Sequence, residues 1–181
     1  MAHFTSFTAA ALTWQNFYLL VGTAAATLVG LMFVALTFGS SLVTEQTSPT
    51  ARSFLDPTFN HFVLVLLTAC LVLIPTMGPA LLGVLLLLIG LLRIAFLFRI
   101  YRHMRAAQQT SSDIELSDWI TGVALPLLCY LSLGVTGIGF MACCAQAFNA
   151  LAAVTLALLL LGVFGAWELL VWMAIARARA K

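Results

Sequence analysis

Long apolar runs separated by short polar segments make up most of this chain. Each run is about 20 residues or longer, which is the length that an α-helix needs to cross a hydrocarbon core. The runs cover residues 14–38, 57–75, 79–103, 118–143 and 149–176. The pattern predicts an all-α fold, a polytopic transmembrane helix bundle with five spans.

The segments between the runs carry turn and cap signals. Ser40–Asp56 is rich in Ser and Thr, which is typical of a loop, and Asp56-Pro57 predicts a helix cap followed by proline at the first helical position. The tight turn Pro75–Pro79 predicts that helices two and three are antiparallel neighbours. The polar segment Met104–Ser117 forms a linker before helix four, in which Pro126 predicts a kink.

The composition supports a membrane protein. Hydrophobic residues make up 63% of the chain and charged residues only 8%, far outside the range of water-soluble domains. We therefore expect a single membrane domain over residues 1–181, with the lipid bilayer as its main partner. The net charge of +2 gives no reason to expect a nucleic-acid partner, because the cations lie mostly at helix ends.

The basic residues predict the orientation. With the N-terminus outside, the external segments hold no Lys or Arg, and Arg93 lies inside a span. The cytoplasmic segments then hold Arg52, Arg99, Arg102, Arg105, Arg177, Arg179 and Lys181. The positive-inside rule thus predicts an external N-terminus and a cytoplasmic C-terminus.

Small residues recur every fourth position in helix one, at Gly22, Ala26 and Gly30. This spacing lets two helix backbones approach closely in lipid, so it predicts a helix-packing face. Because 181 residues in five thin helices enclose little volume, we expect a homo-oligomer that forms through this face.

Two charged residues are predicted to lie at one depth in the membrane. Arg93 is nine residues before Arg102, and Glu168 is nine before Arg177, on helices that both run from outside to inside. Each is therefore about 13 Å inward of its basic residue, at 1.5 Å per residue. We expect them to pair or to line a wet cavity, since an unpaired charge in lipid costs several kcal/mol. The alternatives are a purely structural ion pair, or an arginine that extends to the headgroups.

His61 adds a titratable group near that layer. It lies five residues past Asp56, so it enters the membrane by about 7 Å. Asp56 and Asn60 share a helix face at spacing four, with His61 adjacent, which predicts a vestibule for a proton or a cation. The alternative is an interfacial histidine that hydrogen-bonds to a loop.

Motifs for other chemistry are missing from the sequence. It has no phosphate loop, zinc-ligand spacing or nucleophile elbow, so we expect no enzymatic activity, no metal and no cofactor. A haem would need a second histidine at the depth of His61, and His103 lies at a helix end. Cys143 and Cys144 are vicinal, unlike the separated pairs expected of thiol oxidases.

The segments WQNFYLLVGTAAATLVGLMFVAL at 14–36 and GVFGAWELLVW at 162–172 resemble the first and last spans of a family of small bacterial integral membrane proteins. No activity is established for that family, so the resemblance implies only a location in the bacterial inner membrane. The preferred function is an oligomeric channel-like or carrier-like pathway for ions or small solutes. The alternatives are a non-catalytic accessory subunit that binds another membrane protein and, less favoured, a haem or thiol redox protein.

The predicted coupling of Arg93 with Glu168 can be tested by a double-mutant cycle in thermal stability. Glu168→Gln removes the counter-charge of Arg93, so we expect a lower melting temperature. Replacing both residues with apolar ones should be milder than either single change if the pair is only structural. Simple additivity of the three changes would mean that the two residues do not meet.

Overall fold

The computed structural model describes residues 2–39, 48–107, 123–144 and 146–179, and within them the side chains of 7–38, 56–99, 123–144, 146–175 and 177. These residues form five helices and no strand. The helices are α1 (Ala2–Gly39), α2 (Ser48–Leu73), α3 (Pro79–Ala107), α4 (Leu125–Met141) and α5 (Ala147–Arg179). The all-α prediction is confirmed for the described chain.

Four of the helices are long and apolar enough to cross a membrane. The segments concerned are Phe7–Phe38, Asp56–Leu73, Pro79–Arg99 and Ala147–Ile175. The fifth helix, α4, is apolar but has only 17 residues in its described part. Residues 108–122, which include most of the predicted linker and the predicted start of helix four, lie outside the described residues. The prediction of a membrane-spanning helical protein is supported at this level.

Helix α1 begins twelve residues before the predicted start at residue 14. Residues 2–13 contain neither glycine nor proline and include several alanines, the best helix formers. Phe7 also packs against Phe140 and Phe148, with ring centroids 6.1 Å and 5.4 Å away. Favourable propensity and this aromatic contact together explain why the helix extends beyond its apolar run.

The predicted cap at Asp56-Pro57 is wrong, because α2 begins at Ser48 and Pro57 lies inside the helix. Pro49 lies in the first turn of the observed helix, where its missing backbone N–H has no partner to lose, so proline there is compatible with the earlier start. Pro57 has no N–H to donate to the preceding turn, and α2 continues past that missing hydrogen bond. Asp56 is therefore an exposed side chain within α2.

Tight turns join α2 to α3 and α4 to α5. The first is closed by a hydrogen bond from the Met77 backbone nitrogen to the Ile74 carbonyl oxygen, at 3.1 Å. The second is a Schellman motif, in which the backbone nitrogens of Cys143 and Cys144 donate to the carbonyl oxygens of Phe140 and Gly139. Cys143 has φ 54° in this turn, a left-handed conformation that is usually taken by glycine.

Helix α4 has Pro126 in the first turn of its described part. Residues 123 and 124, directly before it, form a wider π-type turn. Proline removes a backbone donor and crowds the preceding turn, so the irregular geometry at this point agrees with the expected kink.

The chain divides into two compact units. Unit 1 contains the chain up to Trp14 together with Ile74–Val154, and unit 2 contains Gln15–Leu73 together with Thr155–Lys181. Unit 1 therefore holds α3, α4 and the first residues of α1 and of α5, and unit 2 holds most of α1, all of α2 and the rest of α5.

Unit 1 is built on a close antiparallel contact between α3 and α4. A Cβ placed on Gly137 would lie 2.6 Å from the Gly83 carbonyl oxygen and 2.8 Å from the Leu87 backbone nitrogen. Two helical turns further along α3, a Cβ on Gly90 would lie 3.0 Å from the Tyr130 carbonyl oxygen. These glycines allow backbone to meet backbone, which is how helices gain dispersion energy in lipid.

In unit 2, α2 contacts both α1 and α5. A Cβ on Gly22 of α1 would lie 3.0 Å from the Cβ of Ala69, and Phe33 of α1 meets Phe59 with centroids 5.9 Å apart. These two contacts show that α1 and α2 are antiparallel. The guanidinium of Arg177 donates to the Phe38 carbonyl oxygen at 3.3 Å, so a cation satisfies one acceptor at the C-terminal end of α1.

The effect of a glycine-to-alanine substitution on stability should distinguish a glycine in close backbone contact from one on an open surface. We expect Gly137→Ala to destabilise the protein by about 1 to 3 kcal/mol, because backbone atoms on the facing helix cannot move aside. Gly30→Ala is the matched control: nothing lies within 4 Å of a Cβ there, and the helix propensity gain is up to about 1 kcal/mol. Thermal unfolding in detergent measures both. Equal effects at the two positions would contradict the close contact.

Candidate functional site

Unit 2 contains a row of buried polar side chains on α2. Thr58, His61 and Thr68 are each at most 5% exposed. Their spacings of three and seven residues put them on one face of the helix, which also carries the buried Val65 and Val72. A polar group taken from water into an apolar interior must be hydrogen-bonded, so each of these side chains needs a partner within its helix or on a neighbouring one.

The contact between α2 and α5 fixes the level of each polar side chain, that is, its position along the helix axis. A Cβ on Gly165 of α5 would clash with Oγ1 of Thr58, and a Cβ on Gly162 would lie 2.5 Å from the ring of Phe62. The two helices are therefore antiparallel in this register, and Thr155 of α5 is level with Thr68. Thr155 is fully buried.

The register of α1 against α2 adds a fourth level. Gly22 faces Ala69 and Phe33 faces Phe59, so Tyr18 is level with the end of α2 near Leu73. Tyr18 is also fully buried. We call Thr58, His61, Thr68, Thr155 and Tyr18 the polar line. It extends over about 15 residues of α2, or roughly 22 Å along the helix axis.

The chemistry of the polar line is that of hydroxyls and one imidazole. Hydroxyls and a neutral imidazole can each donate and accept a hydrogen bond, so such groups can relay protons or coordinate a small polar solute. Thr68 donates to the Val65 carbonyl oxygen at 2.9 Å, which leaves its oxygen lone pairs for a second partner. The Nε2 atom of His61 is buried and away from solvent.

The residues predicted from the sequence are distributed over both units. His61 is buried in unit 2, Asn60 is half-buried beside it, and Asp56 is exposed. Glu168, also in unit 2, is exposed. Arg93 is a half-buried residue of unit 1, where its guanidinium is close enough to Tyr130 to act on it electrostatically. The vestibule and the pairing of Arg93 with Glu168 stay predictions.

The predicted packing face of helix one is divided between two environments. Gly22 is buried against Ala69, whereas Ala26 and Gly30 are exposed. Each step of four residues turns 40° further around a helix, so Gly30 lies 80° from Gly22. Gly22 therefore packs within the chain, and a role for Ala26 and Gly30 in an oligomer stays a prediction.

Four members of the polar line were not singled out from the sequence. Thr58, Thr68, Thr155 and Tyr18 each lie in an apolar run, where isolated hydroxyls are common. The available signal was periodicity, because Thr58 and Thr68 lie three residues before and seven after His61. Burial on a common face could be read only once the register of α1 and α5 was known.

Metal-ligating groups are sparse in the described part of the chain. No group of three or more His, Cys, Asp or Glu side chains there could hold a metal ion. Cys129 is buried, Cys70, Cys143 and Cys144 are exposed, and all four thiols are free.

No protein-family model, no curated protein and no solved structure matches this chain. The resemblance of residues 14–36 and 162–172 to a bacterial membrane-protein family therefore stays a prediction, and the function has to be argued from the geometry.

A double-mutant cycle tests the contact that fixes the polar line. Gly165→Ala should cost about 1 to 3 kcal/mol, because the new Cβ would clash with Oγ1 of Thr58. Thr58→Ala removes that oxygen and leaves its Cβ at an ordinary 3.4 Å, so Gly165→Ala should be nearly harmless in that background. We expect a coupling energy of about 1 kcal/mol or more in thermal unfolding. Additive changes would show that α2 and α5 do not meet here.

Proposed function

We propose that this protein is a membrane-embedded pathway that passes protons or small cations along the polar line of unit 2. The observation that carries the proposal is the burial of four hydroxyl groups and one imidazole at successive levels of a single helix bundle. An ionisable side chain inside a membrane helix, such as His61, is a candidate for an ion pathway or a proton relay.

The length of the polar line suits such a role. Its extent of roughly 22 Å covers most of a hydrocarbon core of about 30 Å. Asp56 lies two residues before Thr58 in α2, and Asn60 lies between Thr58 and His61, so both add polar groups at this level of the helix. The predicted vestibule of Asp56, Asn60 and His61 therefore becomes the proposed cytoplasmic entrance.

The spacing within the polar line favours a carrier-like or gated pathway over an open channel. Seven residues separate His61 from Thr68, which is about 10 Å along the axis and far longer than one hydrogen bond. Water must enter this interval for a proton to pass. Because the interval is lined by buried apolar residues such as Leu64 and Val65, its hydration is transient and limits the rate.

His61 is the proposed relay group. Imidazole is the side chain whose proton exchange falls nearest neutral pH, and its two nitrogens can take a proton on one side and release it on the other. In the proposed orientation the N-terminus is outside and the C-terminus is in the cytoplasm of a bacterial cell. Thr58 then lies toward the cytoplasm and Tyr18 toward the exterior. We further propose that the protein is a homo-oligomer in the inner membrane.

A second candidate function is that of an accessory subunit that binds another membrane protein. The observation in its favour is the outer face of α1, where Ala26 and Gly30 are exposed and a Cβ on Gly30 would meet nothing within 4 Å. A small-residue surface of this kind admits close approach of a foreign helix. Stoichiometric co-purification of one other membrane protein from native membrane would favour this candidate.

Flux into liposomes tests the pathway. The purified protein is reconstituted with a pH-sensitive dye inside, and a pH gradient is imposed across the membrane. We expect proton entry above that of empty liposomes, and a loss of about tenfold or more in His61→Gln and Thr68→Val, since general proton transfer by a positioned group contributes at least that much.

Thr136→Val is the matched control for Thr68→Val. Thr136 is buried in α4 of unit 1 and donates to the Leu133 carbonyl oxygen at 2.8 Å, in the same geometry as Thr68. It should leave flux unchanged while costing similar stability. If the wild-type protein passes neither protons, sodium, potassium nor small neutral solutes above the empty-liposome rate, the proposed pathway is wrong.

A further inference from the structure

The turn between α4 and α5 carries two adjacent cysteines, Cys143 and Cys144. Both side chains are exposed and both thiols are free. Cysteine is among the most buried residue types in proteins, so packing does not explain two neighbouring exposed thiols. The turn lies between the end of α4 at Met141 and the start of the apolar segment of α5 at Ala147, where dissolved ions can reach the thiols.

The backbone of this turn holds Cys143 in a conformation that favours glycine. Cys143 has φ 54°, and among the described residues it alone has a positive φ. A Cβ makes this left-handed conformation less favourable, whereas glycine adopts it freely. The chain therefore has a thiol where glycine would be more stable, and local conflicts of this kind occur at functional sites.

Aromatic packing beside the turn fixes its position. The rings of Phe140 and Phe148 meet edge to face with centroids 4.9 Å apart, and Phe7 packs against both. The backbone nitrogen of Cys144 donates to the Gly139 carbonyl oxygen at 2.9 Å. Consecutive Cα atoms are about 3.8 Å apart, so the two thiols are held next to each other on a rigid support.

The two thiols suit a soft metal ion of low coordination number. Thiolates favour Cu(I), Zn²⁺ and iron–sulfur clusters. Structural zinc sites and iron–sulfur clusters use four protein ligands. Within the described parts of the chain, no three or more His, Cys, Asp or Glu side chains are grouped so that they could hold a metal ion. Cu(I) fits the pair, because it forms stable complexes with two sulfur ligands.

We propose that Cys143 and Cys144 together bind Cu(I) through their two thiolate sulfur atoms. Binding releases one proton from each thiol and leaves the oxidation states of copper and sulfur unchanged. The two ligands are adjacent in the chain, so once one thiolate has bound, the other is present at high effective concentration. The site lies in unit 1 and shares no residue with the polar line, so it does not depend on the proposed pathway.

Titration of the purified, reduced protein with Cu(I) in the absence of oxygen, against a coloured Cu(I) chelator, tests the site. We expect one ion per chain. Cys144→Ala should raise the Kd for Cu(I) about a hundredfold or more, because a single thiolate lacks the chelate. Cys70→Ala is the matched control: Cys70 is also exposed but has no cysteine beside it, so its loss should leave the Kd unchanged.

Cys143→Gly separates loss of the ligand from loss of the fold. Glycine suits φ 54°, so we expect the melting temperature of this variant to equal or exceed that of the wild type, while its Kd rises as in Cys144→Ala. An unchanged Kd in either variant would overturn the proposal. So would one ion per two chains, because the metal would then bridge two copies. None of these results depends on flux, so failure here is distinct from failure of the proposed pathway.

Discussion

Close contact between helices at glycine is the interaction on which both units depend. Lipid chains are as apolar as leucine, so burying leucine against leucine gives little advantage inside a membrane, and helices associate where they can approach closely. In unit 1 that place is Gly83 against Gly137. In unit 2 it is Gly162 and Gly165 against Phe62 and Thr58. The leucine-rich surfaces of α3 and α4 remain exposed, as expected for side chains that face lipid.

The close approach in unit 2 also explains why polar groups can remain inside it. Gly165 leaves room for the side chain of Thr58, so a hydroxyl lies in the contact where a larger residue on α5 would have excluded it. Among the four long apolar segments, that of α2 is the least apolar, and it is also among the most buried. The buried face of such a helix can carry histidine and threonine, because hydrogen bonds to neighbouring groups offset the cost of burying them.

The charged residues Arg177 and Glu168 are exposed on α5, unlike the buried hydroxyl groups of unit 2. Arg177 is near the end of α5, where its guanidinium satisfies the Phe38 carbonyl oxygen, and such a cation is stable at a helix C-terminus. Glu168 lies nine residues earlier in α5 and is exposed. A carboxylate inside an apolar segment is costly unless a cation or a hydrogen-bond donor compensates it, so this position differs from that of Arg177.

Sequence reasoning went furthest where one physical property decided the outcome. Runs of about 20 apolar residues in a chain with so few charges leave helices as the main solution in lipid, so the helical order and the Pro75–Pro79 turn followed directly. It failed where two local signals competed. Pro49 and Pro57 can each stand in the first turn of a helix, and the pattern of the chain could not choose between them.

The sequence by itself determined the membrane class, the helical order and the candidate status of His61, because each depends on hydropathy or on residue type. The tertiary structure decided which face of each helix is inside. Gly22 and Gly30 look alike in the sequence, yet one is buried against Ala69 and the other is exposed. Thr68 and Thr155 become one level of a polar line only through the antiparallel register of α2 and α5. That register is set by long-range contacts of glycines with side chains of the facing helix, and no local pattern in a nearly uniform apolar sequence records them.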